Sequence, residues 1–420
     1  MKIAFFTDDY LPHIHGVATS IKTYREALER LGHEVYIIAP NKPGHDDHDD
    51  HIIRMPSINN YVFEKRPTSV IYPGLAKKLD KYEFDVIHSH MQFYLGLLAM
   101  SVAKRQGVPH FTTIHSLYTE LIDDYPLMIS AGLIAVTFGY PIMFRCKPIL
   151  PFKDRSEIRD LRKEDAKSIM KRQGWRLTAE FANRCDYCIS PSKHLAEILI
   201  NAGLTTPSSV FPNCIDTSRY TSATTESSPL TKLPGEKYIV CVARLSAEKR
   251  QHVLIDAMEQ LNDPGVKLVL VGNGPTEDEL IASVASRGLS DQVIFTGALS
   301  GDQVASILKQ ADLFVLASYH FDNQPMVFLE AAACGLPIVY CDERMTEGLT
   351  PKNAVLTDGI EGDAFAKVFA DLLGDDKKRA ELSAGALKVA KNFDSTKMAK
   401  DLVALYESAI RTKELEKARE

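Results

Sequence analysis

The chain has 420 residues, 45% of them apolar and 25% charged, with 49 Lys and Arg against 55 Asp and Glu and a formal net charge of −6. That length implies two or three domains. The charge balance argues against a basic nucleic-acid-binding protein, and the composition excludes the fibrous and disordered classes. Seven scattered cysteines, an odd number, point to a reducing compartment rather than a disulfide scaffold.

The opening MKIAFFTDDY reads as a strand with acids straight after it. It lacks the basic n-region and small-residue cleavage site of a signal peptide, so a cytoplasmic protein is expected. Through the first half, KIAFFTD, HEVYIIAP, DVIHSH, PHFTTIH, CDYCISPS and SSVFPNC each read as buried strands. Amphipathic helical stretches lie between several of them, over Thr19–Leu31 and Tyr94–Gln106. Tyr125–Phe144 holds twenty residues without a charge, about the length of a membrane span. Pro126, Gly132, Gly139 and Pro141 break it, which favours a buried or surface-dipping segment.

Residues 221–236, rich in Ser, Thr and Pro and without periodicity, read as a linker. A second series of strands follows in KYIVCVARL, VKLVLVGNG, QVIFTGAL, ADLFVLAS, LPIVYCD and NAVLTD, and one long helix runs from Ser395, capped by Asp394 or Ser395. Alternation of this kind predicts α/β architecture with mainly parallel sheets. The expected plan is two doubly wound domains facing across a cleft: residues 1–220, the linker 221–236, residues 237–394, and a final helix over 395–420.

The second half carries the chemistry. In Asp322-Asn-Gln-Pro-Met-Val-Phe-Leu-Glu330, seven residues separate two carboxylates, and Pro325 suggests that a helix begins between them. Asp322 then sits in the loop before the helix and Glu330 about one and a half turns inside it. The amides of Met326 and Val327 open the helix, and a helix N-terminus is an anion site by geometry and dipole. A plain helix with an acidic start is the alternative. Arg244 and Lys249, in VARLSAEKR at the end of the domain's first strand, suit a diphosphate clamp, a fork and a point charge; a solvated loop is the bland reading. Gly272-Asn-Gly274-Pro275 is a tight turn at the same edge and by itself a weak signal.

In this order ARLSAEK, GNGP, FTG and D-x7-E followed by EAAACGLP resemble the retaining glycosyltransferases of the GT4 family, which have the GT-B fold. FTDDYLPHIHGVATSI resembles the family's opening, DVIHSH, TTIHSLY and ISPSKH fall where it has similar elements, and NFDSTKMAKDLVALYESAI resembles its closing helix, which crosses back to the first domain. The resemblance covers nearly the whole chain. It implies two Rossmann-like domains and transfer of a hexose from a nucleotide-diphosphate sugar.

By that resemblance Gly16 lets the first loop approach the donor diphosphate, Arg244 and Lys249 hold that diphosphate and stabilise the leaving group, and Glu330 binds the ribose. Asp322 binds hydroxyls of the transferred sugar, Asn323 and the amides of Met326 and Val327 complete the donor site, and His115 sits near the anomeric carbon. The family has Glu and Gly where this chain has Asp322 and Pro325, so Asp322 must come closer or act through water, and one amide is lost. The family needs no metal, and no D-x-D stands in the expected place.

Some features point less clearly. His45-Asp-Asp-His48-Asp-Asp-His51 has metal-ligand residue types but reads better as a solvated acidic loop, and Cys185-x-x-Cys188 reads as core packing. Of His88 and His90, one is expected in the core and the other lining the cleft. Residues 145–176 hold eleven Lys or Arg, Arg159, Arg162 and Lys163 among them, against five acids, and Trp175 stands near their end. A basic segment beside the apolar run suits an anionic membrane surface, or else an ordinary exposed helix. HIHGVATSI and the placement of Tyr118 and Tyr125 after His115 resemble family members that glucosylate diacylglycerol. The expectation is therefore a metal-independent, retaining transferase using UDP-glucose, peripheral at the cytoplasmic face, with a membrane lipid as acceptor. Mannosyl transfer to a phosphatidylinositol-type lipid, transfer to a soluble or polysaccharide acceptor, and a non-catalytic sugar-nucleotide-binding module are the alternatives.

Overall fold

Runs of β-branched and aromatic residues that can be buried on both faces form the strands. In the computed structural model, which describes residues 1–11, 16–42, 44, 47–59, 67–70, 72, 74–92, 94–115, 137, 150 and 165–419, they build two parallel sheets in two units.

The first unit comprises Met1–Pro212 and Ala399–Glu420. Its strands are β1 (Lys2–Phe6), β2 (Glu34–Pro40), β3 (Ile52–Met55), a β4–β5 hairpin (Ser57–Asn59, Pro67–Ser69), β6 (Val86–Ser89), β7 (His110–Thr113), β8 (Tyr187–Ser190) and β9 (Ser208–Val210). Helices α1 (Gly16–Arg30), α2 (Tyr94–Gln106), α3 (Ala166–Ala182) and α4 (Lys193–Ala202) alternate with them. The seven-stranded sheet has the order β3-β2-β1-β6-β7-β8-β9. The order reverses between β1 and β6, and ligands of such sheets bind outside the carboxyl ends of the strands at that point.

The second unit runs Asn213–Met398. It contains α5 (Thr217–Thr221), β10 (Lys237–Val242), α6 (Gln251–Leu261), β11 (Val266–Val271), α7 (Glu277–Ser286), β12 (Val293–Gly297), α8 (Gly301–Gln310), β13 (Leu313–Leu316), α9 (Met326–Ala333), β14 (Ile338–Tyr340), β15 (Ala354–Leu356), α10 (Gly362–Leu373) and α11 (Asp376–Ala390). Its sheet has the order β12-β11-β10-β13-β14-β15, the doubly wound pattern, with the switch point between β10 and β13. The Ser- and Thr-rich stretch 221–236 belongs to this unit. Ser306 Oγ donates to Thr224 O at 2.6 Å, and Lys232 reaches Asp312 at 2.5 Å and Gln310 O at 2.9 Å.

The last helix, α12 (Ser395–Lys417), starts in the second unit and from Ala399 on belongs to the first. Asp394 caps it, accepting from Thr396 N at 3.0 Å. Tyr406, fully buried, meets His88 Nδ1 at 2.5 Å, and Lys413 pairs with Asp186 at 2.6 Å.

Strand β3 and the hairpin escaped the sequence reading because they are short and β3 carries Arg54. Its guanidinium is held by Asp47 and by Pro40 O and Leu11 O, with Nη1 3.0 Å from the former and Nη2 2.7 Å from the latter. Helix α1 begins at Gly16, three residues before its expected start. Among the described residues no helix is long and apolar enough to cross a membrane.

The first sheet buries three imidazoles, His88, His90 and His110. Burial pushes all three below the usual histidine range, His110 to about 4. A base held neutral in the folded state contributes stability above its unfolded pKa of about 6.5, and that stability is lost as pH falls. Asp8 works the other way: burial raises its pKa to about 7, so protonating it relieves a penalty as pH falls towards 4. Three buried imidazoles, joined by His33, whose pKa burial also lowers, outweigh the one carboxyl and leave a net loss at acid pH, at about 1.4 kcal/mol per pH unit per group. The single tryptophan, Trp175, lies on α3 and reports on this unit. The urea midpoint read by its fluorescence should therefore drop clearly between pH 6.5 and 4.5; an unchanged midpoint would contradict the neutral, buried state of these rings.

Candidate active site

At the carboxyl end of β10 the chain forms the loop Ala243–Arg250, and the GNGP turn after β11 is built against it. Leu245 N donates to Asn273 O at 2.9 Å, and Thr276 N donates to Leu245 O at 3.1 Å. Gly272, at φ +136°, and Gly274 are required by this approach, since a Cβ on either would stand 2.1 Å from the carbonyl oxygens of Ala243 and Leu245 respectively. The weak sequence signal of GNGP thus has a definite task, which is to hold the Arg244–Lys249 loop at the strand end. The Arg244 carbonyl accepts from Gln251 Nε2 at 2.8 Å, and Ala247–Lys249 form one 3₁₀ turn.

Asp322 comes from the neighbouring strand across the switch point, in the loop between β13 and α9. Lys249 Nζ bonds both of its carboxylate oxygens, at 2.6 and 2.8 Å, and lies 5.3 Å from the Phe321 ring centre. Both side chains are largely buried, so the pair is shielded from water. Two residues singled out separately from sequence therefore meet 73 positions apart.

Helix α9 begins at Met326, with Pro325 as its N-cap in extended conformation (ψ 121°). The first intrahelical bond is Phe328 N to Pro325 O at 3.2 Å, so the amides of Met326 and Val327 form the open end of the helix. Asn323 stands beside Gln324, whose Oε1 accepts from Asn213 N at 2.6 Å. Glu330 lies on the second turn. Burial raises the pKa of its carboxyl, against a hydrogen bond from the Tyr220 hydroxyl and the nearby charge of Arg219. Burial and that carboxylate also push the Tyr220 phenol well up. Arg219 bonds Asp302 through Nε at 3.0 Å and Nη2 at 2.7 Å. Sequence reasoning missed Arg219 and Tyr220, because α5 is a five-residue helix whose Arg-Tyr pair matches no motif.

The first unit gathers its polar groups at the β1/β6 switch point. Asp8, after β1, accepts from Leu95 N at 3.0 Å through Oδ1, while Oδ2 is buried with no partner among the described residues. His90, after β6, places Nδ1 3.0 Å from Nε2 of His115, which follows β7. His88 is the satisfied core histidine, bonded at both ring nitrogens to Tyr406 Oη and Thr113 Oγ1. Gly16 opens α1, and a Cβ there would meet nothing within 4 Å among the described residues, so none of these demands glycine. Tyr118, Arg159, Arg162 and Lys163 lie outside the described residues.

Of the His45–His51 run, Asp47 pairs with Arg54, Asp49 with Arg25, and His51 approaches Glu34, so the described part is structural. Among the described residues no three His, Cys, Asp or Glu stand close enough to hold a metal ion. Cys185 and Cys188 are buried, with thiols pushed up by burial, as core packing requires.

Comparison with known proteins finds a family match in each half of the chain. Residues 14–219 match the model of Glycosyltransferase Family 4, and residues 223–389 match that of Glycosyl transferases group 1. The chain is a GT4-type glycosyltransferase with the GT-B fold. This glycosyltransferase is 29% identical over 352 residues to the alpha-monoglucosyldiacylglycerol synthase of Streptococcus pneumoniae, a match covering 81% of this chain and 70% of that protein. It is 22% identical over 399 residues to the GDP-mannose-dependent alpha-(1-6)-phosphatidylinositol monomannoside mannosyltransferase of Mycolicibacterium smegmatis, covering 90% of each. Among solved structures, HepE of Anabaena in complex with UDP is similar in fold, with a TM-score of 0.71 at 19% identity, covering 97% of this chain and 100% of that one.

Proposed function

We propose that this glycosyltransferase moves a hexose, glucose in the first instance, from UDP-glucose to a hydroxyl of a membrane lipid such as diacylglycerol, with retention and without a metal ion. The arrangement that carries the reading is the group of Lys249, Asp322, the open end of α9 and Glu330 around the β10/β13 switch point. Breaking the bond between sugar and diphosphate leaves an oxocarbenium-like centre and a departing anion. Lys249 and Arg244, with the amides of Met326 and Val327, supply positive potential where the anion's charge grows. Asp322 takes hydroxyls of the sugar with Asn323 beside it, Glu330 takes the ribose, and Gly16 and His115 serve the diphosphate and the anomeric carbon. For retention, the acceptor hydroxyl attacks on the face from which the diphosphate leaves and passes its proton to a leaving phosphate oxygen.

The first half of the chain takes the acceptor and the second half the nucleotide sugar. The basic stretch 145–176, which follows the apolar run 127–144 in sequence, rests on an anionic membrane surface with the enzyme peripheral at the cytoplasmic face, and Tyr118 serves the acceptor. The likeness to diacylglycerol glucosylating enzymes supports glucose and this acceptor. The likeness to a mannosyltransferase over 90% of the chain keeps mannosyl transfer to a phosphatidylinositol-type lipid as the second reading.

A panel of radiolabelled sugar nucleotides, UDP-glucose and GDP-mannose among them, offered with anionic liposomes containing diacylglycerol or phosphatidylinositol, tests both. UDP-glucose should label the organic phase when diacylglycerol is present. Label from GDP-mannose with phosphatidylinositol alone would favour the second reading, and no organic-phase product from any donor would rule out a lipid acceptor.

A further inference from the structure

Three imidazoles stack at the carboxyl ends of β6 and β7. His88 and His90 lie 4.4 Å apart between ring centres, and His90 and His115 lie 5.2 Å apart, both pairs inclined by 23°. Phe5 of β1 closes the stack from the side, its ring 4.8 Å from His90 and nearly perpendicular to it. His90 is 3% exposed, so its ring has no freedom to turn. Its Nδ1 meets His115 Nε2 at 3.0 Å, and its Nε2 is buried with no partner among the described residues.

These contacts decide where the protons sit. A neutral imidazole has one N–H and one lone pair. If His90 carried its proton on Nε2, a buried N–H would go unpaired, which native structures avoid more strictly than an unpaired acceptor. With the proton on Nδ1, His90 donates to His115 Nε2 and leaves only a lone pair unmet. His115 must then accept at Nε2 and carry its own proton on Nδ1. From this geometry we infer that His90 is a positioning residue for His115, fixing its ring orientation and holding its proton on Nδ1.

The consequence for transfer rests on the reading that His115 faces the transferred sugar; the tautomer does not. A ring locked in one tautomer offers a hydrogen-bond donor, rather than an acceptor, from its Nδ1 edge. Such a preset donor costs no reorganisation when the sugar–phosphate bond breaks. His88, with both nitrogens engaged by Tyr406 and Thr113, supports His90 from behind without competing for its proton.

Long-range ¹H–¹⁵N NMR of protein labelled at histidine, with His115 assigned through a His115→Ala variant, reads this directly in the unmodified enzyme. His115 should appear as the neutral Nδ1–H form; an Nε2–H form overturns the inference without any mutant at His90. In His90→Phe, which keeps a ring in the stack and removes the donor, His115 should lose its fixed tautomer and kcat should fall about 10- to 100-fold. KM for UDP-glucose should change less than about threefold. His90→Asn, which places an amide N–H near the original Nδ1, should recover much of kcat and the Nδ1–H signal. An unchanged His115 tautomer in His90→Phe, or no difference between Phe and Asn, would overturn the positioning role. If His115→Ala itself transfers at the normal rate, the placement of His115 at the sugar fails instead, and the tautomer measurement still judges His90.

Discussion

Replacing Lys249 by alanine should reduce glycosyl transfer about 10²- to 10³-fold, equivalent to roughly 2.7–4 kcal/mol of transition-state stabilisation. Among the described residues the ammonium is the one side-chain cation paired with Asp322, at 2.6 Å, in the loop before a helix whose open amides favour anions. In the proposed reaction it must leave that carboxylate, wholly or in part, for the donor diphosphate. The substitution removes the diphosphate's point charge and also strands a largely buried carboxylate. Some stability, on the order of 1–3 kcal/mol, should therefore go with it. The double variant Lys249→Ala with Asp322→Asn separates the two effects. It should regain most of the stability and none of the activity. Rates measured under single-turnover conditions, alongside melting curves, make the comparison; a Lys249→Ala enzyme that transfers at the normal rate would remove Lys249 from the donor site.

The second large effect is expected at a residue with no side chain. In Gly274→Ala the new Cβ would stand 2.1 Å from the Leu245 carbonyl oxygen and 2.8 Å from the Leu245 nitrogen. These are backbone atoms, so no rotamer change relieves the clash. The loop from Ala243 to Arg250 must move by about 1 Å or more, and a misplacement of that size costs on the order of 10²-fold in rate. The strands beneath are buried and unaffected, so the fold should persist with a modest loss in Tm. Transfer and UDP binding measured together check this. Normal activity in Gly274→Ala would mean that the loop's position does not govern the donor site.

The fold was legible in the sequence wherever a strand is buried on both faces. KIAFF, VIHS and KYIVCV leave no other place for so many β-branched and aromatic side chains, and the structure puts strands there. The helix start between Asp322 and Glu330 was legible from Pro325. The short, half-polar β3 was not, because its Arg54 is satisfied by Asp47 and two carbonyls that are distant in the chain or lie in a loop. The candidate site divides along the same line. Residue types and local spacing marked Arg244, Lys249, Asp322 and Glu330, but not their mutual contacts. Lys249 meets Asp322 only because β10 and β13 are neighbours across the switch point, and Glu330 meets Tyr220 through α5, which packs against α9. His90 was visible as a histidine at a strand end. Its bond to His115 depends on the pairing of β6 with β7, which no local pattern encodes.

The most direct measurement is the anomeric configuration of the first product formed from UDP-α-glucose and diacylglycerol in liposomes. The proton spectrum of the isolated glycolipid gives it from the H1–H2 coupling. The expected product is the α-linked glucoside, with the donor's configuration kept. A β-linked product would contradict retention and the same-face attack assigned to this site, and hydrolysis of UDP-glucose with no glycolipid at all would contradict the proposed transfer.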